Sequence, residues 1–159
     1  MAKYSFRDAE DRLVSEGWQY CAVVQGSTST TTDGTEKWFL KFIILFSPTG
    51  DAGRSFGDSI WWNDKEWRID SLMGAAFPEK VGSDEEIEVV AEDLEGKEMW
   101  VRVSHREFEG EKYIRAASFR PADRPPRDLA EAFEEWKSRR KAEEEPEEED
   151  ETEDPIEEL

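Results

Sequence analysis

The chain has one cysteine and one histidine in 159 residues. A single cysteine excludes an intramolecular disulfide, and no CxxC pair exists to form a zinc or redox site. Cys21 lies in the apolar run Tyr20-Cys21-Ala22-Val23-Val24, where a buried, inert thiol is expected. There is no Gly-rich phosphate loop, HExxH, GxSxG or DxD-type metal cluster. His105, lacking any such setting, is expected to be packed or hydrogen-bonded rather than to act as a base. No stretch approaches the about 20 apolar residues of a membrane span. The N-terminal "MAKYSFRDAEDRL" has no apolar core of a signal peptide. These absences predict a soluble protein of a reducing compartment, without catalytic residues, metal or cofactor.

Positive charge is scarce but not evenly so. The net charge is −19, and the twelve carboxylates after Ala142 leave only −7 on the rest. Between Lys97 and Arg127 the sign reverses, with eight Lys/Arg against five Asp/Glu. Segregation of this kind points to an interaction tail beside a surface of different preference. The tail lacks apolar area to offset an ordering cost of about 1–2 kcal/mol per residue, so residues 143–159 are expected to be disordered. The body can build a core, because seven Trp and nine Phe bring large buried areas.

Periodicity predicts an N-terminal helical segment over 1–16, with Ser5 as cap, Asp8 in the first turn and Gly17 as stop. Strands are expected in "GWQYCAVVQG", "KWFLKFIILFS" and "RSFGDSIWW". "STSTTTDGTE" between the first two is expected to be a polar loop, either contacting phosphates or only connecting. Trp38, Leu40, Phe42, Ile44 and Phe46 fall on one face of the second strand, opposite Lys37, Phe39, Lys41, Ile43 and Leu45. Gly57 hints at a bulge or bend in the third strand. "NDKEWRIDSLMGAAF" reads as a helix capped by Asn63 or Asp64, with an Ile69, Leu72, Met73, Ala76 stripe. "SDEEIEVVAEDLEG" is expected to give a second short helix, with Ile87, Val90, Ala91 and Leu94 at helical spacing. "KEMWVRVSHREF" and "KYIRAASFRP" form a hairpin. Residues 127–142 form a C-terminal helix with Leu129, Ala132, Phe133 and Trp136 on one side.

The order strand, strand, strand, helix, strand, strand fits a mainly β chain. It is the order of an OB-fold, a five-stranded antiparallel barrel with a helix between strands 3 and 4. A meander sheet with one helix reads similarly. The barrel domain is assigned to 1–126.

The last hairpin carries the functional signal. With Glu109 and Gly110 at the turn, Val101, Val103 and His105 share a face with Ser118, Ala116 and Ile114. The other face holds Trp100, Arg102, Ser104 and Arg106 opposite Phe119, Ala117, Arg115 and Tyr113. Exposed rings stack bases at about 1–3 kcal/mol each, and guanidinium groups neutralise phosphates. The expected DNA-binding residues are Trp100, Arg102, Arg106, Tyr113, Arg115 and Phe119, extended by Lys37, Phe39 and Lys41. Trp100, Tyr113 and Phe119 are expected to stack. Trp61, Trp62 and Trp67 are expected in the core. The same alternation also serves cross-strand packing alone.

From Gly17 to Pro121 the chain resembles phage-encoded single-stranded DNA-binding proteins, long grouped as a domain of unknown function. The resemblance rests on "KWFLKF", "WRIDSLMGAAF" and above all "DLEGKEMWVRVSHREFEGEKYIRAASFRP". It implies an OB-fold and non-enzymatic, largely sequence-independent DNA binding in phage replication, recombination or repair, in the cytoplasm of a bacterial host. The acidic arm is similar to that of bacterial single-stranded DNA-binding proteins, whose tip sets acidic residues before Ile, Pro and a terminal Phe. Here the tip is Asp154-Pro155-Ile156-Glu157-Glu158-Leu159, with the Pro-Ile pair reversed and Leu last. By that likeness Asp154, Pro155, Ile156 and Leu159 would recruit replication or recombination proteins; a solubilising appendage is the alternative. A rival for the whole chain is an acidic protein-interaction module, or DNA mimic, that inhibits a nucleic-acid enzyme.

Overall fold

The computed structural model describes the backbone of residues 1–3, 13–62 and 66–157, and their side chains except those of 66–67 and 144–157. The chain divides into two compact units, Met1–Arg124 and Pro125–Leu159.

The first unit is built on five antiparallel strands: β1 (Gly17–Thr30), β2 (Glu36–Phe46), β3 (Ser55–Trp61), β4 (Glu98–Phe108) and β5 (Glu111–Pro121). Helix α1 (Glu66–Ala76) follows β3 in the chain. The strand order across the sheet is β3-β2-β1-β4-β5. β2 alternates as its sequence dictates: Trp38, Leu40, Phe42 and Ile44 are buried, whereas Phe39 and Lys41 are exposed. Burying each such side chain contributes about 1.5–3 kcal/mol. The core faces α1, which supplies Leu72, Ala75 and Ala76, with Ile69 and Met73 packed at its margin. Cys21 is fully buried there, and burial pushes its thiol up from its ordinary value.

The sheet does not close into a barrel, which corrects the expected barrel geometry. The reason lies in α1. Arg68 Nε donates to the Ala116 carbonyl at 3.0 Å. Ser71 Oγ donates to the Phe119 carbonyl at 2.9 Å and accepts from the Phe119 N–H at 2.7 Å. These two helix residues are one turn apart, and they occupy backbone groups of β5 that a closing strand would use. Asp58 on β3 completes the seam. Its Oδ2 accepts from the Ala116 N–H at 2.9 Å and pairs with Arg68, while its Oδ1 accepts from Ser59 N–H at 2.8 Å.

Two further expectations are corrected. The Thr-rich segment is not a loop: β1 and β2 remain paired up to Thr30 opposite Glu36. Thr is β-branched and favours strands. The short connection is tied by the Thr31 and Asp33 side chains on Thr35 N–H. The second short helix is also absent. Only Ala91–Leu94 forms a 3-10 turn, and Ala91 and Leu94 alone bury, because Gly26 lets this turn lie directly on β1. A Cβ at position 26 would stand 2.2 Å from the Ala91 carbonyl oxygen. Thr28 Oγ1 accepts from Ala91 N–H and donates to Glu92, so that hydroxyl is engaged within the fold. Of the N-terminal helix, residues 4–12 lie outside the described residues, and 13–16 are not helical. The expected caps Asn63 and Asp64 also lie outside the described residues.

In the second unit a 3-10 turn at Arg127–Leu129 leads into α2 (Ala130–Glu157). Phe133 is buried and stacks on Trp136 at 5.7 Å, with Lys137 over the Phe133 ring and Arg140 over Trp136. The backbone of α2 runs past Ala142 to Glu157, where a disordered arm was expected. Asp154, Pro155 and Ile156 fall in this last stretch, and Leu159 lies outside the described residues. No described helix is long and apolar enough to cross a membrane.

Candidate nucleic-acid interface

The β4–β5 hairpin turns on Glu109 and Gly110, both with positive φ, as a two-residue turn requires. Phe108 faces Glu111, Arg106 faces Tyr113 and Ser104 faces Arg115. This is the expected register, and it places Arg102, Ser104, Arg106, Tyr113 and Arg115 on the face away from the core. Arg102 and Arg106 are exposed, and Tyr113 is 48% exposed. Arg102 Nε donates to Ser118 Oγ at 3.0 Å, across the ladder.

Beyond Val103 the register shifts, and Arg102 faces Ser118. Ala117 is the extra residue, so Val101 faces Phe119 and Trp100 faces Arg120. A bulge turns the following side chains to the other side. Phe119 therefore points into the core, 5% exposed, with its ring 6.2 Å from that of Phe42. Trp100 stays on the outer side but is fully buried, edge-on to Tyr20 at 5.2 Å and to Phe46 at 6.0 Å. Both are corrections: neither ring is open to stack on a base.

Of the remaining predicted residues, Arg106, Tyr113 and Arg115 line the open seam. Between β3 and β5 lies a cleft of about 340 Å³ lined by Asp58, Ser59, Trp61, Arg68, Arg106, Tyr113, Ile114 and Arg115. Trp61 forms part of this wall instead of lying in the core, and Lys37 Nζ sits 5.1 Å from its ring centroid. Trp62 is partly buried and packs edge-on to Trp38 at 5.0 Å, as a core residue should. The side chain of Trp67 lies outside the described residues. Phe39, opposite Ser59, lays its ring over Gly57, where a Cβ would come within 2.6 Å of it. Lys41 is exposed beside Gly57. Lys37, Phe39 and Lys41 thus carry the outer face onto β2, next to Trp61.

The electrostatics are mixed. Arg106 and Arg115 bring positive charge to the cleft, while the Asp58–Arg68 pair compensates itself. At the hairpin tip Tyr113 Oη donates to Glu111 at 2.8 Å, and that carboxylate holds the phenol above its ordinary range. Phe108, 60% exposed, ends the outer row of β4 and was not anticipated. Alternation alone would have found it, two positions after Arg106. His105 is held by its ring Nε2 against the Val14 carbonyl at 2.6 Å, and its N–H donates to Glu16. Among the described residues no three His, Cys, Asp or Glu groups are arranged to hold a metal ion.

Compared with known proteins, the sequence matches no family model and no curated protein.

Proposed function

We propose that this protein is a non-enzymatic single-stranded DNA-binding protein, largely indifferent to sequence, that serves phage DNA replication, recombination or repair. The observation that carries this reading is the cleft between β3 and β5, where Arg106 and Arg115 stand beside Tyr113 and Trp61. Bases would stack on Tyr113, Trp61, Phe39 and Phe108. Phosphates would be neutralised by Arg102, Arg106, Arg115, Lys37 and Lys41. The five strands are read as an OB-like sheet left open between strands three and five. The acidic arm, through Asp154, Pro155, Ile156 and Leu159, would recruit replication or recombination proteins in the host cytoplasm.

A second reading has one observation in its favour. The segment from Asp84 to Glu95 puts seven carboxylates on the folded unit, mostly exposed. An acidic protein-interaction module would carry its charge in that way.

A tryptophan-fluorescence titration with oligo-dT, a duplex of equal length and single-stranded RNA separates the two. Quenching by dT, weaker for duplex and reduced by salt, is expected of stacking with phosphate neutralisation. No response to any of the three would sink the DNA-binding reading and leave the interaction module.

A further inference from the structure

A groove of about 260 Å³ runs along α1 on its Asp70, Met73 and Phe77 side, and it takes no part in the reading above. Gly74, Val81 and Ile87 add to its apolar lining, and its charged lining residues are Asp70, Lys80 and Glu85. Its walls are open to solvent: Val81 is 67% exposed and Ile87 41%. Small-molecule sites usually span about 300–1,000 Å³, so a groove of this size suits side chains of a peptide better than a cofactor.

Gly74 is the informative residue. Glycine is the poorest helix former after proline, and it sits inside α1. The nearest atom a Cβ there would meet is Val81 Cγ2, at 3.9 Å. The fold itself therefore leaves room for a larger residue, and the glycine keeps the groove floor low.

Charge selects the occupant. From Glu79 to Glu95 there are eight carboxylates and one cation, Lys80. Lys80 Nζ is itself held by Glu85 at 2.6 Å. A phosphate backbone would be repelled. An apolar lining with Asp70 in it, beside this acidic segment, suits an amphipathic segment whose polar face is basic. This chain's own basic amphipathic stretch, Phe133 to Lys141, does not present its anchor, because Phe133 is already buried. We infer that the groove docks a basic amphipathic segment of a partner protein, on a surface separate from the cleft between β3 and β5.

The test uses the full chain and a labelled helical peptide of about 14 residues, made of Leu on one face and Lys/Arg on the other. Anisotropy is expected to show binding that weakens with salt. Gly74→Leu and Val81→Asn are each expected to weaken it about tenfold or more, the equivalent of about 1.4 kcal/mol. Replacing the peptide's Leu by Ser should do the same. Circular dichroism checks that Gly74→Leu folds; if it does not, Val81→Asn decides, since that side chain is largely exposed. Equal binding by wild type and Val81→Asn would overturn the inference and place the peptide on the acidic arm. So would no binding, or a wild-type dimer in sedimentation that Val81→Asn dissociates, since a second copy would then be the occupant.

Discussion

Asp58→Ala is the sharpest test of how the open sheet is held. The carboxylate bridges two strand edges: it accepts from Ser59 N–H on β3 and Ala116 N–H on β5, and it pairs with Arg68 of α1. The Arg68 side chain is 4% exposed and that of Asp58 is 21% exposed. Breaking a buried ion pair from one side costs about 3–5 kcal/mol. That range includes the orphaned Ala116 N–H, itself worth about 1–3 kcal/mol. Arg68→Ala should cost less, about 2–3 kcal/mol, because Asp58 keeps both backbone donors and partly reaches water. The double variant should then show a coupling of about 1.5–3 kcal/mol. Urea unfolding followed by tryptophan fluorescence measures all three, with an unchanged m-value as the check on two-state behaviour. A cost below about 1 kcal/mol for Asp58→Ala would refute the seam account, as would effects that add within about 0.5 kcal/mol.

Buried and exposed rings of the hairpin should separate cleanly. Trp100→Ala and Phe119→Ala are expected to cost about 3–5 kcal/mol of stability. Tyr113→Ala should cost little stability but about 1–3 kcal/mol of oligo-dT affinity, read by fluorescence titration. Arg106→Ala and Arg115→Ala should each lower the slope of log affinity against log salt by about 0.7, the single-strand value per phosphate. Gly26→Ala is expected to be severely destabilising in thermal melts, by more than about 2 kcal/mol, because the clash is with backbone at Ala91 and not with a movable side chain. For Asp51, burial pushes the carboxyl up, but hydrogen bonds from Thr49, Ser15 and Arg54 outweigh it and leave it below its ordinary value. A lowered folded value means stability present above the unfolded value, about 3.9, and lost as pH falls through the folded value. The stability gap between wild type and Asp51→Asn, from urea midpoints, should therefore shrink below about pH 4.

The legible parts of the chain were those where one strand face is core and the other is not. β2 shows this in Trp38, Leu40, Phe42 and Ile44, and the hairpin shows it from the turn back to Val103 and Ala116. The bulge was not legible, because Ala116 and Ala117 are alike in size and polarity and either suits both faces. That one residue moved Phe119 from the outer face to the core. Trp100 failed for a different reason: both sides of the sheet are covered at that point, and alternation carries no information where both faces are buried. The β1–β2 hairpin did have a signal, the Asp33-Gly34 pair between a Thr-rich run and the alternating Trp38–Phe42 run, which the run of hydroxyl residues obscured. The place of Trp61 was not legible, because a Trp near a strand end looks the same whether it faces a core or a cleft. Its place follows from sharing the outer face with Lys37, which only the β2–β3 register reveals.

The open seam follows from a choice every exposed sheet edge forces. Unpaired N–H and C=O groups must be satisfied, and left bare they recruit another strand. Here α1 supplies Arg68 and Ser71 to β5, and β3 supplies Asp58, so the Ala116 and Phe119 backbone groups are satisfied by side chains. Sealing by side chains holds the strands apart, whereas a ladder would bring them to about 4.8 Å. Asp58 and Arg68 also line the cleft, together with Trp61, Tyr113, Arg106 and Arg115. The polar residues that protect the edges are thus also what keep the cleft from closing. A variant that replaced Arg68 and Asp58 with well-packed apolar residues could retain stability. If the cleft is the binding site, that variant should still lose oligo-dT affinity, because the spacing of its walls is set by these two side chains.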